Sequence, residues 1–328
     1  MKKFIIVMVT LLLAFSLVGC GEDNTNSTVT NTPGLEQGTP DTKPDSTTPP
    51  VDTSAAVKIE FKDTAVTAGE GVTVNGSVAT ITAAGTYEVS GKINDGQLIV
   101  DADGLEIFLI FNNVSLHCSN SAPLFVKKAD HVYLSLADGS TNTLTDGSVY
   151  ALEPGTTEPD ATLFSKADMT ISGTGTLNVT ANYNDGIANR DTLVIESGII
   201  NVDAVNHGIK GKDFLSIIGG TIKVIAGIDG IKSTNDTDAT LGYLNISGGS
   251  IDIKAEDEAI SAVTNVKISG GNVVIDTANN AIKAGLTVDI SAGEVKITTD
   301  DKGLLCAEEK ISSNANVTVN GSKLNSNY

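Results

Sequence analysis

Carboxylate and amide side chains collect at one recurring place in this chain, immediately before an isoleucine or leucine. The runs are Asn184-Asp185-Gly186-Ile187, Asn206-His207-Gly208-Ile209, Asp229-Gly230-Ile231, Asp257-Glu258-Ala259-Ile260, Asn279-Asn280-Ala281-Ile282 and Asp300-Asp301-Lys302-Gly303-Leu304. Oxygen donors of this kind suit a hard divalent cation. Calcium takes six to eight of them at about 2.3 to 2.6 Å, so neighbouring runs could close on one ion if the fold stacked them. Turns also favour Asp, Asn and Gly for conformational reasons alone. Lys210, Lys232 and Lys283 each follow the terminal apolar residue directly, on the same ladder as the acids. A lysine beside a metal could remove the proton alpha to a uronate carboxyl group, or simply balance charge.

Whether these side chains meet depends on the elements that carry them. The terminal residues Ile187, Ile209, Ile231, Ile260, Ile282 and Leu304 are spaced by 22, 22, 29, 22 and 22. A fixed period of this size implies units that bury their apolar faces only by stacking. Five apolar slots recur in each unit, for instance Leu215, Ile217, Ile222, Val224 and Ile231, then Leu244, Ile246, Ile251, Ile253 and Ile260. Slots two apart read as strands facing one core, β-branched residues suit a pleated surface, and no stretch carries a helical stripe. Gly219-Gly220, Gly248-Gly249 and Gly270-Gly271 supply turns. The expectation is an all-β, right-handed parallel β-helix (solenoid) of about 22 residues per coil, with three short strands in each.

The long repeat places its seven extra residues within Ser233 to Thr240, beside the acidic corner. Asn184, Asp185, Asn206, Asp229, Asn235, Asp236, Asp238 and Asp257 are therefore the expected metal ligands. In the N-terminal half, Ala122 to Asp130 is echoed by Ala161 to Asp168, and Thr145 to Asp160 reads as an excursion. Further strands are expected at Val72 to Ile81, Tyr87 to Val89, Leu98 to Val100, Leu105 to Phe111 and Val132 to Leu136.

Residues 1–20 read as an address: Lys2 and Lys3, an apolar run from Phe4 to Val18, then Gly19-Cys20. This layout resembles a bacterial lipoprotein signal, which implies lipidation of Cys20 and an extracellular, lipid-anchored position on the cell membrane. Residues 21–56, rich in Thr, Ser, Asn, Asp and Pro, suit a tether. Residues 57–328 form the expected β-helix domain. The 21 basic residues less Lys2 and Lys3 leave 19 against 40 acidic, a formal −21. Such a surface repels nucleic acid. Cys118 and Cys306 fall about seven coils apart, on the order of 30 Å, too far for a disulfide, so both are expected as buried thiols. His117, His131 and His207 lack the spacing of a zinc site.

The segments Asn184 to Ile187, Gly208-Ile209-Lys210-Gly211-Lys212-Asp213 and Asp229 to Thr240 resemble the hallmark segments of bacterial carbohydrate-binding β-helix lipoproteins, relatives in fold of the pectate lyases. The resemblance covers the chain from about Val57 onward. It implies a calcium-containing right-handed β-helix that binds cellulose and acidic plant polysaccharide. The related lyases pair an Asp-Asp-Gly-Leu-Asp style calcium motif with a lysine base. Here Asp185-Gly186-Ile187 ends in Ala188, the next repeat has Asn206-His207, and Asp257-Glu258-Ala259 stands where family members often carry Asp-Asp-Gly.

The chain has no Trp. Tyr183, beside Asn184 and Asp185, is the stacking residue to expect against a sugar. A strongly anionic protein needs a bridging cation or local lysines to hold an anionic polymer. The reading is a calcium-bearing surface protein that binds cell-wall polysaccharide of the polygalacturonate or pectin type through Tyr183, Lys210, Lys232 and the metal. Two alternatives stand beside it: a calcium-dependent lyase using Lys210 or Lys232 as base, and a structural or adhesive surface solenoid.

Overall fold

A computed structural model describes residues 49, 53 and 55–328. Cys20, the expected signal and all of the expected tether except residues 49, 53, 55 and 56 lie outside the described residues. The described chain is all-β, with 32 strands in two sheets of 21 and 11. Each repeat of the C-terminal half contributes three strands. In the repeat opening at Ile209 these are a short one, Ile209–Gly211, a middle one, Phe214–Ile217, and a long one, Thr221–Ala226.

Each strand pairs in parallel with its counterpart in the next repeat. Ile187 pairs with Ile209, Ile209 with Ile231, Ile231 with Ile260, Ile260 with Ile282 and Ile282 with Leu304. The middle and long strands keep the same step, with Leu215 on Leu244 and Ile222 on Ile251. The recurring apolar residues therefore form columns between the sheets, where Ile209, Ile231, Ile260, Leu215, Ile217 and Ile246 are completely buried. The short strands lie in the 11-stranded sheet, and the middle and long strands lie in the other.

Turn glycines hold this register. The second residue of each Gly pair takes the left-handed conformation, with φ of 92° at Gly220, 90° at Gly249 and 88° at Gly271, which costs a glycine little. Gly230 is needed for a different reason. A Cβ there would stand 2.3 Å from Ile253 Cγ2 and 2.6 Å from the Ala259 carbonyl oxygen. Gly230→Ala is therefore expected to destabilise the fold by about 1–3 kcal/mol through overpacking, read as a lower denaturation midpoint with unchanged slope. An unaltered midpoint would mean that the backbone yields there, so that Ala is as acceptable as in the repeats carrying Ala259 and Ala281.

The N-terminal half departs from the expected strands in three places. Val72 to Ile81 is two antiparallel strands, Val72–Asn75 and Val78–Ile81, because Gly76-Ser77 forms a two-residue turn with Gly76 at φ 61°. The strand over Tyr87 to Val89 extends over Gly85–Ile93, and that over Leu105 to Phe111 runs through Glu106–Cys118. Residues 147–160 leave the sheets between Thr141–Asp146 and Ala161–Ser165, as the Pro and Gly content there implied. Tyr150 and Leu152 of this excursion pack with Phe125, Phe164 and Ala188. Arg190 ties its end down through Glu158 and Asp160, each at 2.6 Å.

Candidate functional site

The pairing register that stacks the terminal isoleucines also stacks the residues beside them. Two positions upstream, one column reads Asp185, His207, Asp229, Glu258, Asn280; one position downstream, another reads Ala188, Lys210, Lys232, Ser261, Lys283. Each lysine finds a carboxylate in the facing column. Lys210 is bonded to Asp185 and stands 3.5 Å from Asp160. Lys232 Nζ is 2.6 Å from Asp229 Oδ2, and Lys283 Nζ is 2.7 Å from Glu258 Oε1. Asp229 and Glu258 are both buried.

Buried charges in contact alter one another. Burial is the largest influence on Asp229 and opposes its negative charge, but the hydrogen bond and charge of Lys232, with His207 and Glu258, together outweigh it and hold this carboxyl below the usual range. At Glu258 burial prevails over the Lys283 hydrogen bond, and the neighbouring Asp229 adds to it, so the carboxyl is raised. Burial, with Lys232 close by, also lowers His207. The imidazole is thus neutral near pH 7, consistent with Nδ1 accepting the Asp229 amide proton at 3.3 Å.

Asp229, Asp257 and Glu258 each offer an oxygen within 4.8 Å of the others. Two oxygens on opposite sides of one calcium ion stand about 4.6 to 5.2 Å apart, so the trio has the right span for a shared cation. A second observation points the same way. Asn280 follows Glu258 in the column, is 7% exposed, and its amide oxygen is buried with no hydrogen-bond partner in the described structure. A buried, unpaired carbonyl oxygen is costly, and this one belongs to the residue stacked one strand beyond Glu258. All donors are oxygen, which fits calcium rather than zinc.

The trio lines a groove of about 620 Å³ that also takes in Lys232, Lys283 and Asp236. Asp236 comes from the bulge of the long repeat. The same groove reaches Cys306, which packs against the main apolar core but is half-buried rather than buried as expected; Cys118 is buried, and both thiols are free.

The structure thus gathers Asp229, Asp236, Asp257 and Lys232 at one groove and distributes the other expected residues elsewhere. Asn184, Asp185, Asn206 and Lys210 form a hydrogen-bonded set upstream, with Asp185 and Lys210 in the same columns and Asn184 and Asn206 beside them. There Asn206 Nδ2 donates to Asn184 at 2.7 Å and to Asp185 at 2.9 Å. Lys210 is 7% exposed. Asn235 is directed into the bulge, accepting from the Thr237 and Asp238 amides at 3.0 Å and donating to Asp213 at 2.6 Å. Asp238 is exposed and is held below the usual carboxylate range by Thr240. Tyr183 stacks on Tyr150 at 4.0 Å and 12°, near the start of the excursion. Glu258, Asn280 and Lys283 are the groove or column residues that the expected site left out. Their signal was present in the register, two places before and one place after a terminal isoleucine.

A family model described as carbohydrate-binding domain-containing protein matches residues 75–327. The chain belongs to that family. Among carbohydrate-binding domain-containing proteins, a relative from Acetivibrio thermocellus is 38% identical over 151 residues, covering 45% of this chain and 53% of the relative. The chain therefore matches about half the length of that relative. A solved structure, titled as the polysaccharide lyase-like protein from C. thermocellum in a gadolinium derivative, superposes with a TM-score of 0.72 at 38% identity. The superposition covers 74% of this chain and all of that one. The residues matched by the family model include those that line the groove.

Proposed function

We propose that this chain is a calcium-containing binder of acidic cell-wall polysaccharide, of the polygalacturonate or pectin type, built as a right-handed parallel β-helix. The observation that carries the reading is the oxygen cluster of Asp229, Asp257 and Glu258 in a groove that also presents two lysines, with the buried, unpaired amide oxygen of Asn280 next after Glu258 in the column. Parallel pairing that repeats at 22 residues supports the β-helix, and the family supports a carbohydrate ligand. A chain with 40 acidic residues repels a polyuronate at long range, so the attraction has to be local. Bound calcium supplies it by sharing its coordination sphere between the trio and a uronate carboxylate. Asp236, on the groove wall, adds an oxygen from the bulge. Cellulose is a second ligand implied by the family resemblance. In this reading Cys20 carries the lipid that holds the domain on the outer face of the membrane, with residues 21–56 as its tether.

The test is binding to polygalacturonate with calcium and with excess chelator. Retention only with calcium, without release of unsaturated uronide absorbing in the ultraviolet, supports a binding protein. Release of that product makes the chain a lyase, as the name of its structural neighbour would suggest, and equal retention in chelator removes calcium from the account. Stability gives an independent readout. An ion that binds only the folded chain at 100 times its dissociation constant adds about 2.7 kcal/mol. Chelation is accordingly expected to lower the melting temperature. An unchanged melting curve after metal loss verified by elemental analysis would exclude structural calcium.

A further inference from the structure

The two most buried carboxylates of the trio are already engaged by groove lysines, Asp229 by Lys232 at 2.6 Å and Glu258 by Lys283 at 2.7 Å. Three carboxylates facing two ammonium groups leave the cluster with one negative charge in excess. A divalent cation among the same oxygens would turn that excess into a positive one. Like charges would then face each other at a few ångströms, and the burial of Asp229 and Glu258 reduces the screening on the cation's side. The cation binds several oxygens at once and the ammonium groups are on flexible stems, so the lysines are the groups that leave.

Their exit is open. Lys283 and Lys232 side chains are 48% and 21% exposed, and both line the groove. Ser261 separates them in the column, with Lys232 pairing to Ser261 and Ser261 to Lys283. The two backbones therefore stand two strand spacings apart, about 9.6 Å, with only a small hydroxyl side chain between them. That span lets both heads reach carboxylates on one polyuronate chain.

We infer that a divalent cation and the ammonium groups of Lys232 and Lys283 exchange places on Asp229 and Glu258, so that cation binding hands both lysines to the carboxylates of the polysaccharide in the groove. This rests on the cation reading proposed above and adds an order to it. Before the cation arrives, the lysines are held by the protein's own acids and the groove has low affinity for an anionic chain. Afterwards the cation and two freed ammonium groups act together. Cation and polymer must then strengthen each other by the same factor, since coupling between two binding equilibria is reciprocal.

The experiment is calorimetric titration of calcium chloride, and of a galacturonate oligomer at saturating calcium, into the full chain and into Lys232→Met with Lys283→Met. The double variant is expected to bind calcium about ten-fold more tightly, because no ammonium competes, and the oligomer about ten-fold more weakly. In the natural chain the oligomer is expected to raise calcium affinity by the factor by which calcium raises oligomer affinity. Calcium binding of equal strength in both proteins overturns the exchange. Absence of calcium binding in the natural chain instead removes the underlying cation reading. Should the variant not fold, the natural chain with isotopically methylated lysines decides: calcium must shift the resonances assigned to Lys232 and Lys283, and unmoved resonances overturn the exchange.

Discussion

Ile231→Asp is expected to yield no folded protein. Ile231 is completely buried and pairs with Ile209 on one side and Ile260 on the other. It therefore sits within an unbroken apolar column. Emptying such a site of its aliphatic side chain costs about 2–5 kcal/mol, and an unpaired carboxylate in its place adds several more. Together these approach or exceed the about 5–15 kcal/mol by which a domain is stable. Protonation of the new carboxyl would relieve part of the charge but not the lost packing. Circular dichroism and thermal melting of the purified variant provide the check. A soluble product with the spectrum and melting curve of the natural chain would mean that this column faces outward, against every pairing that contains it.

Asp229→Asn combined with Asp236→Asn is expected to weaken polygalacturonate binding by about ten-fold or more, on the order of 1.4 kcal/mol, while leaving the strands intact. Both side chains line the groove, and Asp229 belongs to the oxygen trio. The amides preserve size and some hydrogen bonding but remove two of the charges that would hold a cation. The comparison variant is Lys210→Ala with Lys232→Ala. If the lysines alone carried binding, this pair would lose it, and the loss would shrink with added salt. Lys210 is buried against Asp185 and does not line the groove, so any direct effect of the pair comes from Lys232. Affinity titrations of both double variants, each with its folding verified, separate the routes. Full binding by the aspartate variant alongside loss in the lysine variant would sink calcium bridging at this groove.

The lysine pairings show how far register alone carries the reading. Lys232 binds the acid of its own repeat, three residues away, whereas Lys210 and Lys283 reach back 25 residues to Asp185 and Glu258. The reason lies in the facing column. Lys210 has His207 in its own repeat and Lys283 has Asn280, both neutral, so each turns to the carboxylate of the preceding repeat. Lys232 has Asp229 in its own repeat and His207 behind it. These choices are written in the sequence, but they become legible only once the two columns are known to lie side by side on the same face.

What the sequence by itself determined is the set of neighbours along each column. A constant step of 22, stretched once to 29, fixes which residues pair in parallel, and pairing at about 4.8 Å fixes their spacing whatever the side chains do. The apolar columns, the turn glycines and the acid and lysine ladders all follow from that step. Tertiary structure alone decided which of those ladder residues can bind anything. The path of the bulge from Ser233 to Thr240 turns Asn235 inward and leaves Asp236 on the groove. The excursion over 147–160 stacks Tyr150 against Tyr183 and so commits an aromatic face that was expected to meet sugar. Burial leaves the Asn280 oxygen without a partner beside Glu258. Periodicity cannot encode the first two outcomes, because the bulge and the excursion are the segments that do not repeat, and their conformations are set by packing against residues far away in the chain.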